Sequence, residues 1–181
     1  LGDVYKRQSG KEGNNRIHFL LGKISGKFVG LVDSSYGSTT STSGAFTMNT
    51  SNTNSGGWGS SQMRSKVLGS ASSPTSPTAN TLLAALPSDL RAVMKSCTKY
   101  TDNNGGGNTA SNVSSTTDYL FLLSEYEVFA THQYCNDAEP NYQAQYDYFK
   151  AGNSKVANKH SATGTAAVWW LRSPYYTNIY Y

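Results

Sequence analysis

A chain of 181 residues, 37% hydrophobic and 14% charged, is long enough to bury one core without metal or disulfide staples. Its net charge of +4 does not describe a nucleic-acid binder. Lys6, Arg7, Lys11, Arg16, Lys23 and Lys27 against Asp3 and Glu12 account for the whole excess, and the other nine basic and nine acidic residues cancel. Phosphate binding needs a basic face on the folded body, so no nucleic-acid partner is expected. Thirteen tyrosines in a Ser/Thr/Asn/Gly-rich, charge-poor chain suit an extracellular, cell-surface or virion module. No apolar run approaches membrane-spanning length, so no membrane span is expected. Cys97 and Cys135 are read as buried free thiols, because no spacing brings them within bridging distance.

In chain order, residues 1–8 (LGDVYKRQ) look like a foreign leader and are set aside, leaving 9–181 as a single domain. Arg16 to Leu21 and Phe28 to Val32 predict two strands of a hairpin turning through Gly26. Ala45 to Asn49 predicts a short strand. Trp58 then opens a helix at a hydrophobic-staple spacing from Met63, with Gly69 as a left-handed stop. Ser76 and Pro77 start a helix to about Leu86, and Pro87 starts a second to about Cys97. Leu83, Leu86, Leu90, Val93, Met94 and Cys97 would form their apolar stripe, with Arg91 and Lys95 on the wet side.

Asp102 to Asn108 (DNNGGGN) lacks the ligands of a calcium loop and the ending of a phosphate loop, and reads as a turn. Asp118 to Leu123 (DYLFLL) predicts a buried strand. Ser124-Glu125-Tyr126-Glu127 predicts a capping box, which explains both carboxylates without acid–base chemistry. A helix from Pro140 or Asn141 to Lys150 would align Tyr142, Tyr146 and Phe149, with Gly152 as its stop. His132 and Cys135 have a metal-compatible spacing but no second pair, and His160 lies in a polar loop. Val168 to Leu171 predicts a strand ended by Pro174.

DYLFLLSEYEVF (118–129) and VWWLRSPYY (168–176) resemble a bacterial and phage family catalogued as domain of unknown function 6273. RIHFLLGKISGK, GGWGSSQMR and LLAALPSDLRAVMKSCTKY look similar to further stretches of it, so the resemblance covers most of 9–181. Members of that family run on past this motif, which implies a fragment of a larger polypeptide, incomplete at its C-terminus. The pattern of elements predicts an α+β domain: a twisted, mostly antiparallel sheet with helices packed on one side. With the resemblance, this looks like the C-type-lectin/formylglycine-generating-enzyme type of fold.

Hydrolase, metalloprotease and nucleotide-loop motifs are missing, and the histidines have no carboxylate at a fixed spacing, so no catalytic residue, metal or cofactor is assigned. The expected function is a non-catalytic module binding a cell-surface glycan or protein. The alternatives are a structural unit of a surface or tail protein, and a degenerate enzyme of formylglycine-generating type. Candidate ligand-binding residues are Arg172, Tyr175, Tyr176, Asn178 and Tyr180, since Tyr gives stiff contact area with a polar tip. Against this stands a plain hairpin in which half the tyrosines face the core. Arg172 decides between them: buried, it needs a carboxylate partner and is structural; exposed, it can stack with Tyr175.

Overall fold

The computed structural model describes residues 4–6, 17–20, 23–24, 27–30, 48–49, 53–103, 109–159, 162–175 and 179–180. Among these, helices and small sheets intermix as an α+β fold. The described strands are spread over four small sheets rather than gathered into one. β1 (Val4–Lys6) pairs antiparallel with β2 (Ile17–Phe19), so the leader set aside above supplies a strand. In place of the predicted pairing, β3 (Lys23–Ile24) pairs antiparallel with β4 (Lys27–Gly30), and β2 takes its partner from residues 4–6; residues 25–26 and 31–32 lie outside the described residues. β4 runs parallel to β7 (Ala157–Lys159), which pairs antiparallel with β8 (Ala162–Ala167). β5 (Cys97–Asp102) and β6 (Val113–Asp118) form a six-position antiparallel ladder, and β9 (Pro174–Tyr175) meets β10 (Ile179–Tyr180).

The helices are short. α1 (Gly57–Ser60) leads into a π-helical turn, Met63–Leu68, closed by Gly69 at φ 70°. Only glycine fits there, since an added Cβ would lie 2.5 Å from Thr81 Oγ1. Met63 and Val67 are buried beside Trp58, but Trp58 lies inside α1 behind a Gly56 N-cap and Met63 starts the next turn, so the contact is not the staple that the spacing predicted. α2 (Leu82–Ala85) begins later than expected. Thr81, not Ser76, accepts the cap hydrogen bond, from Ala84 N. α3 (Ser88–Val93) ends early, because Cys97 already belongs to β5. Of the predicted stripe only Leu83 and Cys97 are buried, and Val93 is 69% exposed. Arg91, expected to be solvated, donates to the carbonyls of Pro74 and Leu86.

α4 (Glu125–Phe129) carries the predicted capping box. The helix expected from Pro140 to Lys150 is divided into a 3₁₀ turn, Glu139–Tyr142, and α5 (Asp147–Lys150), with Gly152 left-handed after it. Cys97 and Cys135 are buried and free, as expected. Met48 and Asn49 are not in a strand, residues 45–47, 104–108 and His160 lie outside the described residues, and no described helix is long and apolar enough to cross a membrane.

Two apolar clusters organise these pieces. One holds Met48, Trp58, Met63, Val67 and Leu68; the other holds Leu123, Val128, Tyr146, Phe149 and Leu171. Both strongest strand predictions fail between them. Asp118 ends β6, and Phe121 packs against both clusters, so Tyr119 to Leu123 crosses the interior as irregular chain. Tryptophans 169 and 170 likewise divide between clusters, Trp170 against the first and Trp169 against the second. Trp169 forms an isolated β-bridge rather than a strand, Arg172 N bonds Leu123 O, and Val168 is 73% exposed.

Candidate functional site

Where the 118–129 segment meets the 168–176 segment, the interior is charged. Arg172 is fully buried, and its guanidinium is spent on four groups. Nη1 donates to Glu127 Oε2 at 2.5 Å and to Leu122 O at 2.7 Å, and Nε donates to Thr101 Oγ1 at 3.1 Å. Nη2 lies 3.5 Å from Tyr100 O. One side chain thus ties β5, the 119–123 crossing and α4 to the Trp-Trp segment. The planar donor fork of Arg serves this better than a point charge.

Glu127 is the hub. Its Oε2 also accepts from Ser124 N, completing the capping box, and Oε1 accepts from Lys99 Nζ at 3.0 Å. Alternation along β5 turns Lys99 inward, where its ammonium lies 4.2 Å from the centre of the Phe121 ring and bonds Tyr146 Oη at 3.2 Å. Tyr146 Oη also meets His18 Nδ1 at 2.9 Å. Burial alone would raise the Glu127 pKa, but Arg172, Lys99 and two hydrogen bonds overcome it and hold the carboxylate down at about 2.

A second carboxylate pair folds the neighbouring loop. Glu125 Oε1 accepts from Gln133 N, and Oε2 accepts from Tyr134 N and Cys135 N, three consecutive amides on one buried carboxylate. Glu139 Oε2 accepts from Asp102 N, and its Oε1 accepts from Ser173 Oγ, which in turn takes the amide of Glu125. Burial pushes the Glu139 carboxyl up, only partly opposed by Arg172. The Cys135 thiol is driven upward by burial and by the Glu139 and Glu125 charges, which disfavours the thiolate a metal would need. His132 pairs with Asp137 at 3.5 Å, and the described residues contain no metal-binding group of three His, Cys, Asp or Glu.

Arg172 was a candidate ligand contact on the expectation of exposure. Burial against Glu127 corrects that: it belongs to the interior and touches no ligand-accessible surface. Tyr176 and Asn178 lie outside the described residues. In the β9–β10 ladder Tyr180 is opposite Pro174 and Tyr175 is opposite Ile179. This register is all that the structure describes of the two residues. Sequence reasoning missed Lys99, Thr101, Tyr146, Glu139 and Ser173. The available signal was the inward half of an alternating strand at Lys99 and Thr101.

These features define a class: an α+β domain whose two signature segments meet in a shared ionic core. The chain belongs to the family described as a domain of unknown function (DUF6273), whose model matches residues 38–181. Comparison with curated proteins and with solved structures gives no match, and the lectin-type likeness remains an expectation of the sequence.

Proposed function

We propose that this domain is a non-catalytic recognition module of a cell-surface or virion protein, binding a glycan or protein through exposed aromatic side chains. The observation that carries the reading is the saturation of its charged core. Arg172, Glu127 and Lys99 are buried and internally bonded, and Glu125 and Glu139 are occupied by backbone amides and Ser173. A catalytic acid, base or nucleophile has to reach a substrate atom at hydrogen-bond distance, and these groups face one another. Aromatic area lies instead at the surface, where Tyr142, Phe129 and Phe19 are exposed. The tail residues Tyr175, Tyr176, Asn178 and Tyr180 remain candidate contacts, without Arg172.

The same charged core favours a second reading, a purely structural unit of a larger surface or tail protein, since buried ionic networks can serve fold specificity. The test immobilises the chain and passes soluble oligosaccharides and host-surface protein extracts over it. Saturable binding supports recognition, and its complete absence leaves the structural unit. Turnover abolished by His132→Ala, Cys135→Ala or Glu125→Ala in a folded protein would overturn the non-catalytic reading.

A further inference from the structure

The proposed recognition function leaves open which element makes contact, and the second carboxylate pair points to one. A loop that binds must be held in shape before the ligand arrives, because ordering it on binding costs affinity. The chain from Thr131 to Tyr142 contains only the 3₁₀ turn at its end, yet the interior fixes it at several points. Glu125 holds the amides of 133–135. Asn136 accepts from Ala138 N through Oδ1 and donates through Nδ2 to Thr109 O. Glu139 is locked to Asp102 and Ser173, and Gln143 Nε2 donates to Tyr100 O at 2.7 Å. Anchors point inward from 136, 139 and 143, while His132, Gln133, Asp137, Asn141 and Tyr142 are exposed.

Tyr142 is 40% exposed although its ring is stacked on Tyr100, with centroids 4.6 Å apart and planes 14° from parallel. The stacking fixes the ring's orientation and leaves part of it in water. We infer that the 131–142 loop is the ligand-contacting element of the module, and that Tyr142 is a platform for the apolar face of a pyranose sugar. The loop's other exposed groups select this ligand over a protein. An imidazole, a carboxylate and two amides exposed on the same loop as the ring suit a set of hydroxyls, whereas a protein interface buries a core of several apolar side chains. Glu125 is a positioning residue, connecting the SEYE segment to the loop.

The inference rests on the recognition reading, and the experiment separates the two. The chain is titrated with glucose, galactose and N-acetylglucosamine oligomers, followed by backbone amide NMR and calorimetry. For a single-ring platform a Kd of about 0.1–1 mM is expected. Amide shifts should centre on 131–142. Tyr142→Ala should weaken binding about tenfold or more while Tyr142→Phe stays near wild type, as loss and retention of a stacking ring require. Asp137→Asn should weaken binding without altering the melt. Glu125→Gln should weaken binding and speed hydrogen exchange at amides 133–135, a change that a role outside the loop would not produce. Loss of binding in Tyr175→Ala/Tyr180→Ala but not in Tyr142→Ala overturns the inference and leaves the recognition reading standing. Binding of a surface protein and of no saccharide overturns the ligand class alone. Binding of neither overturns both.

Discussion

Among the described residues two buried carboxylates are paired to arginine, and they differ in water. Asp118, at the end of β6, accepts from Arg64 Nε at 2.7 Å, Trp58 Nε1 at 3.0 Å and Thr116 Oγ1 at 2.5 Å. Its arginine is 16% exposed and its other partners are neutral donors, one of them the central ring of the first cluster. Glu127 has two cations, both buried, and no solvent on either side of the bridge. Asp118 pins a tryptophan to a sheet end. Glu127 joins segments separated by tens of residues, from Lys99 to Arg172. A wet pair tolerates loss of a partner because water replaces it, whereas a dry one leaves a charge stranded.

The largest contrast is expected on truncating the two arginines. Arg172→Ala should cost about 3–5 kcal/mol, the range for breaking a buried pair, with Arg172→Lys recovering little because one ammonium cannot reach all four acceptors. Arg64→Ala should cost about 1–2 kcal/mol, since Asp118 keeps Trp58 and Thr116. Urea denaturation of both variants measures the difference; equal losses would show that burial does not set the value of these pairs.

Acid should distinguish Glu127 next. Its folded pKa is depressed, so its contribution is complete above the unfolded value near 4.5 and disappears as pH falls toward about 2. That window corresponds to about 3 kcal/mol, and Glu127→Gln should flatten stability between pH 5 and pH 2. Glu139 has the opposite sign. Its raised pKa favours the folded state at low pH and costs stability as pH climbs above the unfolded value, so Glu139→Gln should remove a decline on the neutral side. Thermal melts across pH 2–8 check both slopes. A Glu127→Gln variant as acid-labile as wild type would contradict the first.

Smaller effects are expected where the chain meets water. Thr81→Ala removes the α2 cap and should cost about 1 kcal/mol. Tyr142→Ala removes a stacked but exposed ring and should cost about 1 kcal/mol or less, which keeps the binding test interpretable. A loss of several kcal/mol at Tyr142 would place it in the core instead.

The sequence by itself determined the local chemistry of this protein. Ser124 to Glu127 specify their own capping box, and Gly69 and Gly152 stop helical turns, because each depends on neighbours a few residues away. The sequence also carried the α+β class and the two segments that identify the family. Tertiary structure decided what those segments are for. DYLFLL and VWWL read as strands because apolar and β-branched residues fit a ladder, yet two separate clusters compete for their side chains and pull both into irregular crossings. Arg172 read equally well as a surface contact or an interior clamp. Its fate depended on Glu127, Thr101 and Leu122, brought together from 45 to 71 positions away, a proximity that no local spacing encodes.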